Sequence, residues 1–258
     1  MNRPWLIAAV AIVLGIAIGL AYSWRAGLIG SAPPPPAPTL TPAPPSAAVA
    51  AAASAPAGPT FALAGSEPLL RAAVARLLGP EGVGLLRPGI AAHVVATVDA
   101  LPRRHFPPDA WPVQGLGVAF IATSDDQKAP LAEDNYPRYA RYVALLARLD
   151  AHAAAALYWQ HYGLLQQAYR EAGHAAPEQF NDRLIAAIDS VLAAADAEPP
   201  VLVLRPSALY EFADTGLEER PAGQKLLLRA GPRNAAIIRR KLLEVKQAIT
   251  SLRPATLP

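Results

Sequence analysis

The sequence contains no cysteine among its 258 residues, and this absence removes several chemistries at once. Disulfides, thiol catalysis and cysteine-ligated metal sites are excluded. No two of its five histidines lie four residues apart, as a helical metal-binding pair would, so we expect no metal site. The G-x-S-x-G motif of serine hydrolases is missing, and the Gly-Lys neighbourhood at Ala222–Lys225 lacks the rest of a phosphate-binding loop. We therefore expect no cofactor.

Charge is absent from Trp5–Trp24, which reads WLIAAVAIVLGIAIGLAYSW. An α-helix needs about 20 apolar residues to cross the hydrocarbon core of a bilayer, and aromatic residues favour both interfaces. We predict an uncleaved transmembrane anchor within an N-terminal region of residues 1–30. A cleavable signal peptide with a site near Ala21-x-Ser23 is the alternative.

The few basic residues that flank this segment predict its orientation. The α-amino group and Arg3 lie on one side, whereas Arg25 stands alone on the other, which favours a cytoplasmic N-terminus. In a bacterial inner membrane the C-terminal domain would then face the periplasm. Ala11, Gly15 and Gly19 are spaced four apart, a pattern that lets two membrane helices approach closely, so we predict a homodimer contact there.

Residues 31–65 form a Pro/Ala-rich segment without a charge. Its proline density favours an extended, disordered linker that separates the next domain from the bilayer. A proline-rich ligand for a partner domain is the sharper alternative.

Residues 66–258 show helical periodicity for most of their length, and we predict one mainly α domain of about six to seven helices with a small β-hairpin or extended segments. Extended structure is expected at Val201–Leu204 and in a hairpin of Val113–Leu116 with Val118–Ala122. Ser207–Asp214 is predicted to form a helical turn. Two of the predicted helices end at glycine: one begins at Ser66 and stops at Gly79-Pro80, and the other begins at Leu157 and stops at Gly173. The remaining predicted helices are Ile90–Leu101, Asn135–Asp150, about Glu178–Ala195, Pro221–Ala230 and Asn234–Leu252.

The stretch Leu157–Leu184 is predicted to be the centre of the core, as two antiparallel helices that bury their apolar rows against each other. Tyr158, Tyr162 and Tyr169 recur on one face of the first helix. We expect these tyrosines to pack in the core with their hydroxyls hydrogen-bonded at its edge, and a ligand platform is the alternative.

Several sequence blocks resemble a known family. They are NYxRY (Asn135–Tyr139), YWQHYxLLQQAYRE (Tyr158–Glu171), FNDRL (Phe180–Leu184), RPxxLYEFAD (Arg205–Asp214) and GQKLLLRxGPxN (Gly223–Asn234). The chain resembles, from about Ser66 to Thr250, a proteobacterial family known as domain of unknown function 3014. That resemblance implies the anchor, the tether and the domain architecture, and it implies no catalytic residue.

The polar positions of these blocks predict an exposed interaction surface. Its candidate residues are Asn181, Asp182, Arg183, Arg205, Tyr210, Glu211, Asp214, Gln224, Lys225 and Arg229. We expect the surface to bind a protein or a cell-wall polymer, which makes the chain a membrane-tethered periplasmic binding or scaffolding module of the cell envelope.

Hydrolysis of the cell wall is the alternative function. It would require Glu211 with Asp182 or Asp214 as a carboxylate pair across a cleft. Against this stands the expectation that Asp182, Arg183, Arg205, Glu211 and Asp214 form structural ion pairs and loop hydrogen bonds, because arginine neighbours keep carboxylates ionised.

The C-terminal segment Arg220–Arg253 holds nine basic residues and one acidic residue, Glu244, whereas Ser66–Glu219 has an acidic excess. The default interpretation is pairing of this segment with the acidic body. Docking on anionic lipid headgroups or another polyanion is an alternative, and the predicted periplasmic location argues against nucleic acid.

Overall fold

Helices dominate the computed structural model, which describes residues 63–113, 120–121, 128–205 and 210–255, and the prediction of a mainly α domain is confirmed. The described α-helices are α1 Leu63–Gly84, α2 Ile90–Ala100, α3 Ala140–Arg148, α4 Ala151–Gln160, α5 Tyr162–Glu171, α6 Phe180–Leu192, α7 Thr215–Glu218, α8 Ala222–Ala230 and α9 Pro232–Ser251. Two 3₁₀ segments, Pro108–Ala110 and Glu133–Tyr139, precede Trp111 and α3.

The predicted anchor at Trp5–Trp24, its dimer contact and nearly all of the linker 31–65 lie outside the described residues. Within the described part of the chain, none of the helices combines the length and the hydropathy that crossing a bilayer demands.

The described helices outnumber the six to seven that periodicity predicts, for two local reasons. His161, with φ −117° and ψ 13°, interrupts the predicted continuous helix and separates α4 from α5. Asp214 caps the short helix α7, since its carboxylate accepts the Leu217 N–H at 2.8 Å.

Two of the predicted helix stops are confirmed at glycines with positive φ. Gly79, with φ 70°, breaks the helical path of α1 before the chain resumes a helical course to Gly84. Gly173, with φ 101°, follows α5, and the Gly173 and His174 N–H groups donate to the carbonyls of Arg170 and Tyr169. That pair of bonds is the Schellman arrangement, which satisfies the last free carbonyls of a helix.

A small antiparallel sheet consists of β1 Ala129–Pro130, β2 Leu202–Leu204 and β3 Glu211–Phe212, in the order β1-β2-β3. The extended segment predicted at Val201–Leu204 is confirmed as β2. The helical turn predicted over Ser207–Asp214 is wrong at Glu211 and Phe212, because these residues pair with Leu204 and Val203 and the Phe212 ring is buried beside Leu131. The predicted hairpin lies mostly outside the described residues, and Val113 forms a bridge with Leu86 instead.

The helix α9 is the centre of the bundle, since it contacts α3, α4, α6 and α8. Its apolar seam of Ile238, Leu242, Val245 and Ile249 is almost fully buried. The two helices α5 and α6 were predicted to bury their apolar rows against each other, but most of their packing is with other helices. The helix α5 packs chiefly on α2, and α6 packs on α2, α8 and α9. The two helices flank a core to which many elements contribute.

Candidate functional site

Three tyrosine side chains tie α4 and α5 to the start of α6, and the predicted core packing of the tyrosine row is confirmed. Tyr158, Tyr162 and Tyr169 are each at most 2% exposed. The Tyr158 hydroxyl donates to Asn181 Oδ1 at 3.3 Å, and the Tyr169 hydroxyl donates to Glu178 Oε2 at 3.1 Å. The tyrosine rings therefore fill the core while their hydroxyls meet polar groups at its edge.

Gln166 fixes the N-terminus of α6 from the neighbouring helix α5. Its Oε1 accepts the Phe180 N–H at 2.7 Å, and its Nε2 donates to the Glu178 carbonyl at 3.0 Å. The first N–H groups of a helix have no partner within it, so this buried amide takes the place of a capping side chain. Asn181 and Asp182, which follow Phe180, are held in place as a result.

A groove of about 360 Å³ opens beside this junction, and we call it the Trp159 groove. Its walls come from α4, α6 and the end of α9. It is lined by Trp159, Asn181, Asp182, Ile185, Ala186, Asp189, Ile249, Thr250 and Arg253. Trp159 is half-buried, and its Nε1 donates to the Ile249 carbonyl at 2.9 Å, which fixes the orientation of the indole.

Two exposed charges of the Trp159 groove have no side-chain partner within the described residues: Asp182 on α6 and Arg253 beyond α9. A third charge, Asp189, is neutralised by an ion pair with Lys246. Burial raises the pKa of the Tyr158 phenol well above its usual value, and of the two groove charges Asp182 adds to this effect while Arg253 opposes it. Both charges therefore influence the Tyr158 phenol, whose hydroxyl contacts the groove-lining Asn181.

A second polar cluster, the Asp99 cluster, joins the end of α2 to the connection between α5 and α6. It comprises Asp99, His174, Glu178 and Arg183. Asp99 accepts hydrogen bonds from Arg183 Nε at 2.7 Å and lies 2.6 Å from His174 Nε2, while His174 Nδ1 lies 3.1 Å from Glu178 Oε2. Because a carboxylate faces each ring nitrogen, only the doubly protonated imidazole can donate to both.

The sequence did not predict the Asp99 cluster, because Asp99 and His174 lie 75 positions apart. One local signal existed: Asp99 is the only acidic residue of the helix IAAHVVATVDA. His174 also stacks on Tyr169, with ring centroids 3.8 Å apart. All of these contacts hold the α5–α6 connection against α2, so the role of the Asp99 cluster is structural.

A third polar cluster joins the sheet to α7 and α8 through the buried residues Glu218 and Lys225. Lys225 Nζ lies 2.5 Å from Glu218 Oε1 and donates to the Glu218 carbonyl at 2.9 Å, while Glu218 Oε2 accepts the Phe212 N–H. Burial lowers the Lys225 pKa, although its bond to Glu218 opposes this shift. The Arg229 guanidinium lies over the Phe212 ring, 4.8 Å from its centroid.

The ten predicted surface residues therefore fall in two regions. Asn181, Asp182 and Arg183 lie in the first turn of α6, and the others lie around the sheet and α8. Asn181 and Lys225 are buried, at 3% and 4% exposure, although Asn181 still lines the Trp159 groove. Arg205 lies over the Tyr210 ring, and Gln224 donates to the Ser190 carbonyl.

The carboxylates named for hydrolysis do not meet in one recess of the described residues. Asp182 lines the Trp159 groove, whereas Asp214 lines a separate recess with Asp196 and Arg220. Glu211 lies on β3 and lines neither. Of the predicted ion pairs, Arg183 does bind a carboxylate, but it is that of Asp99.

In the ranges that the structure describes, no three His, Asp or Glu side chains lie close enough together to hold a metal ion.

The family model described as "Protein of unknown function (DUF3014)" matches residues 90–246, from the start of α2 to the last turns of α9. No curated protein and no solved structure matches the chain.

Proposed function

This chain belongs to the DUF3014 family of proteins of unknown function, and from the groove it carries we propose that it is a binding module of the bacterial cell envelope. In this proposal the N-terminal segment anchors the chain in the inner membrane, and the linker holds the helical domain in the periplasm. The Trp159 groove is the recognition site, and a protein or a cell-wall polymer is the partner.

The observation that carries this proposal is the pair of unpartnered charges around a fixed indole. Other charges in the polar clusters, such as Asp99, Arg183, Glu218 and Lys225, are engaged by neighbouring groups. Asp182 and Arg253 have no such partner in the described ranges, although both line the same groove. Concave sites with an apolar wall and a few polar groups are the usual form of binding sites.

The charge distribution of the C-terminal segment supports recognition through the groove over docking through a basic surface. Three of its basic residues, Lys225, Arg239 and Lys246, form ion pairs with Glu218, Asp196 and Asp189 of the acidic body. These pairs favour the intramolecular interpretation of the basic segment. Binding to anionic lipid or to nucleic acid is therefore not part of the proposal.

Site-specific photo-crosslinking in living cells tests the proposal. A photoreactive amino acid replaces Ala186, which is exposed and lines the Trp159 groove without contributing a charge. The matched control replaces Ala144, which is also exposed but lies on α3 outside the groove lining. Adducts are identified by mass spectrometry after digestion with a protease or with a cell-wall hydrolase.

We expect an envelope protein or a cell-wall fragment to be trapped from position 186 and not from position 144. The adduct should disappear when Asp182→Asn and Arg253→Gln are introduced together. Equal labelling from both positions, or no adduct from a folded and abundant chain, would remove the groove as the recognition site.

A further inference from the structure

We propose that the Trp159 groove binds a zwitterionic α-amino-acid group at the free end of a cell-wall peptide, with its ammonium on Asp182 and its carboxylate on Arg253. This inference rests on the proposed function, and it narrows the ligand from envelope polymers in general to one chemical group.

Charge complementarity is the first argument. Asp182 stands in the first turn of α6, and Arg253 follows the last turn of α9, so the two charges belong to different walls of one groove. They form no ion pair with each other in the described part of the chain. A ligand with both charges on one carbon, as an α-amino acid has, can satisfy the two side chains together, whereas a purely anionic or purely cationic ligand leaves one of them opposed or unused.

The buried amide at the floor of the groove is the second argument. Asn181 is 3% exposed and lines the groove, and its Oδ1 is occupied by the Tyr158 hydroxyl. Its Nδ2 has no hydrogen-bond partner within the described residues, so a donor is left at the floor. A ligand carboxylate is an acceptor that suits this donor.

The size and the apolar wall of the groove are the third argument. A volume of about 360 Å³ is at the small end of ligand sites, which suits a terminal amino-acid unit better than a folded protein segment. The half-buried side chains of Trp159 and Ile185 offer the apolar surface on which the methylene chain of a diamino acid can lie. A diamino acid attached through one amine keeps the zwitterion at its far end.

Binding of a defined peptide to the full-length chain in nanodiscs tests this inference. The probe is a tripeptide, Ala-γ-Glu-2,6-diaminopimelate, acetylated at its N-terminus so that the only zwitterion lies at the far end of the diamino acid. Two matched probes carry either an acetylated terminal amine or an amidated terminal carboxylate. Affinities are measured by calorimetry.

We expect the zwitterionic probe to bind at least roughly tenfold more tightly than either matched probe, since each loses one charged hydrogen bond. Asp182→Asn should weaken binding of the zwitterionic probe by roughly tenfold and should not affect the probe without an amine. Arg253→Gln should also weaken binding of the zwitterionic probe by roughly tenfold, and it should not affect the probe whose terminal carboxylate is amidated. The controls are Asp134→Asn and Arg233→Gln, two exposed positions outside the groove, and these should change nothing.

The outcomes separate this inference from the proposed function. If the crosslink from position 186 forms but the three probes bind equally or not at all, the groove recognises another ligand and the zwitterion inference is overturned alone. If free 2,6-diaminopimelate binds as tightly as the tripeptide, the source is a free amino acid and the assignment to a cell-wall peptide is overturned. If neither crosslink nor probe binding occurs, both proposals fail.

Discussion

His161 is a residue whose burial leaves a ring nitrogen without a hydrogen-bond partner among the described residues. It connects α4 to α5, its Nε2 is buried without a hydrogen-bond partner among the described residues, and burial lowers its pKa from 6.5 to about 3. The folded chain thus keeps this imidazole neutral at pH values where the unfolded chain protonates it. An unsatisfied buried nitrogen of this kind is rare in folded proteins.

The depressed pKa of His161 predicts acid sensitivity. Between about pH 6.5 and pH 3 the unfolded state binds more protons than the folded state, so stability falls as the pH falls, by up to about 1.4 kcal/mol per pH unit. We expect His161→Phe to give a shallower loss of stability in this window. Urea unfolding at several pH values, followed by circular dichroism, measures the slope. His152→Phe, at an exposed position of α4, is the control, and equal slopes in the two variants would contradict the prediction.

Single residues also show where sequence reasoning could and could not find the site. Asp182 was predicted to be exposed in a polar block, and it lies exposed on the groove. Trp159 gives no signal of a site in the sequence, because the neighbouring tyrosines carry the helical periodicity. In the sequence Arg253 stands out only as part of a basic segment, because nothing local places the end of α9 beside the start of α6. The groove arises from packing between distant segments, which a periodic pattern does not encode.

At the scale of elements, the sequence predicted best those helices whose apolar seam is clean. Predictions of Ile90–Leu101 and Asn234–Leu252 compare with α2 Ile90–Ala100 and α9 Pro232–Ser251. Strand β3 was predicted as a helical turn, because a strand of two residues is too short to show the alternating pattern of a β-strand. Its conformation is decided by pairing with β2 and by the bond of the Phe212 N–H to Glu218, neither of which is visible locally.

Gly231, at the junction of α8 and α9, is predicted to tolerate substitution less well than the other glycines that end helices. Gly231 has φ 83° and ψ 161°, and a Cβ there would lie 2.6 Å from the Tyr136 ring. Gly231→Ala should lose about 1 to 3 kcal/mol from backbone strain and about 1 to 3 kcal/mol more from the forced shift of the ring. Gly173→Ala is the matched control, since φ is 101° but no atom lies within 4 Å of the added Cβ.

Chemical unfolding of the two glycine variants measures this difference. We expect Gly173→Ala to show the strain cost alone and Gly231→Ala to be clearly less stable. Equal losses would mean that Tyr136 moves aside without cost and that the junction is not rigid.

At the scale of the whole molecule, the proposal depends on how the domain is held in the cell. The uncharged segment Trp5–Trp24 and the Pro/Ala-rich residues 31–65 are the sequence features that support a tethered periplasmic domain. A spacer of about 35 residues at roughly 3.1 Å each could hold the groove on the order of 100 Å from the bilayer when fully extended. That reach extends well beyond the bilayer surface and would let a tethered module survey a polymer layer. The predicted homodimer contact at Ala11, Gly15 and Gly19 would place two such modules side by side.

Topology reporters fused after Pro258 test this arrangement. Alkaline phosphatase, which is active only in the periplasm, should be active in the fusion, and a fluorescent protein that folds only in the cytoplasm should be dark. The chain should stay with membranes after carbonate extraction and keep its N-terminal residues, because an uncleaved apolar helix is held by the bilayer. Arg3→Ser combined with Ala26→Lys and Gly27→Lys should lower phosphatase activity, since it reverses the basic bias that sets orientation. Release of the chain by carbonate, with loss of the residues up to about Ala21, would show a cleaved signal peptide. An inactive phosphatase in the unaltered chain would place the groove away from the cell wall. That result would remove the premise of the zwitterion inference.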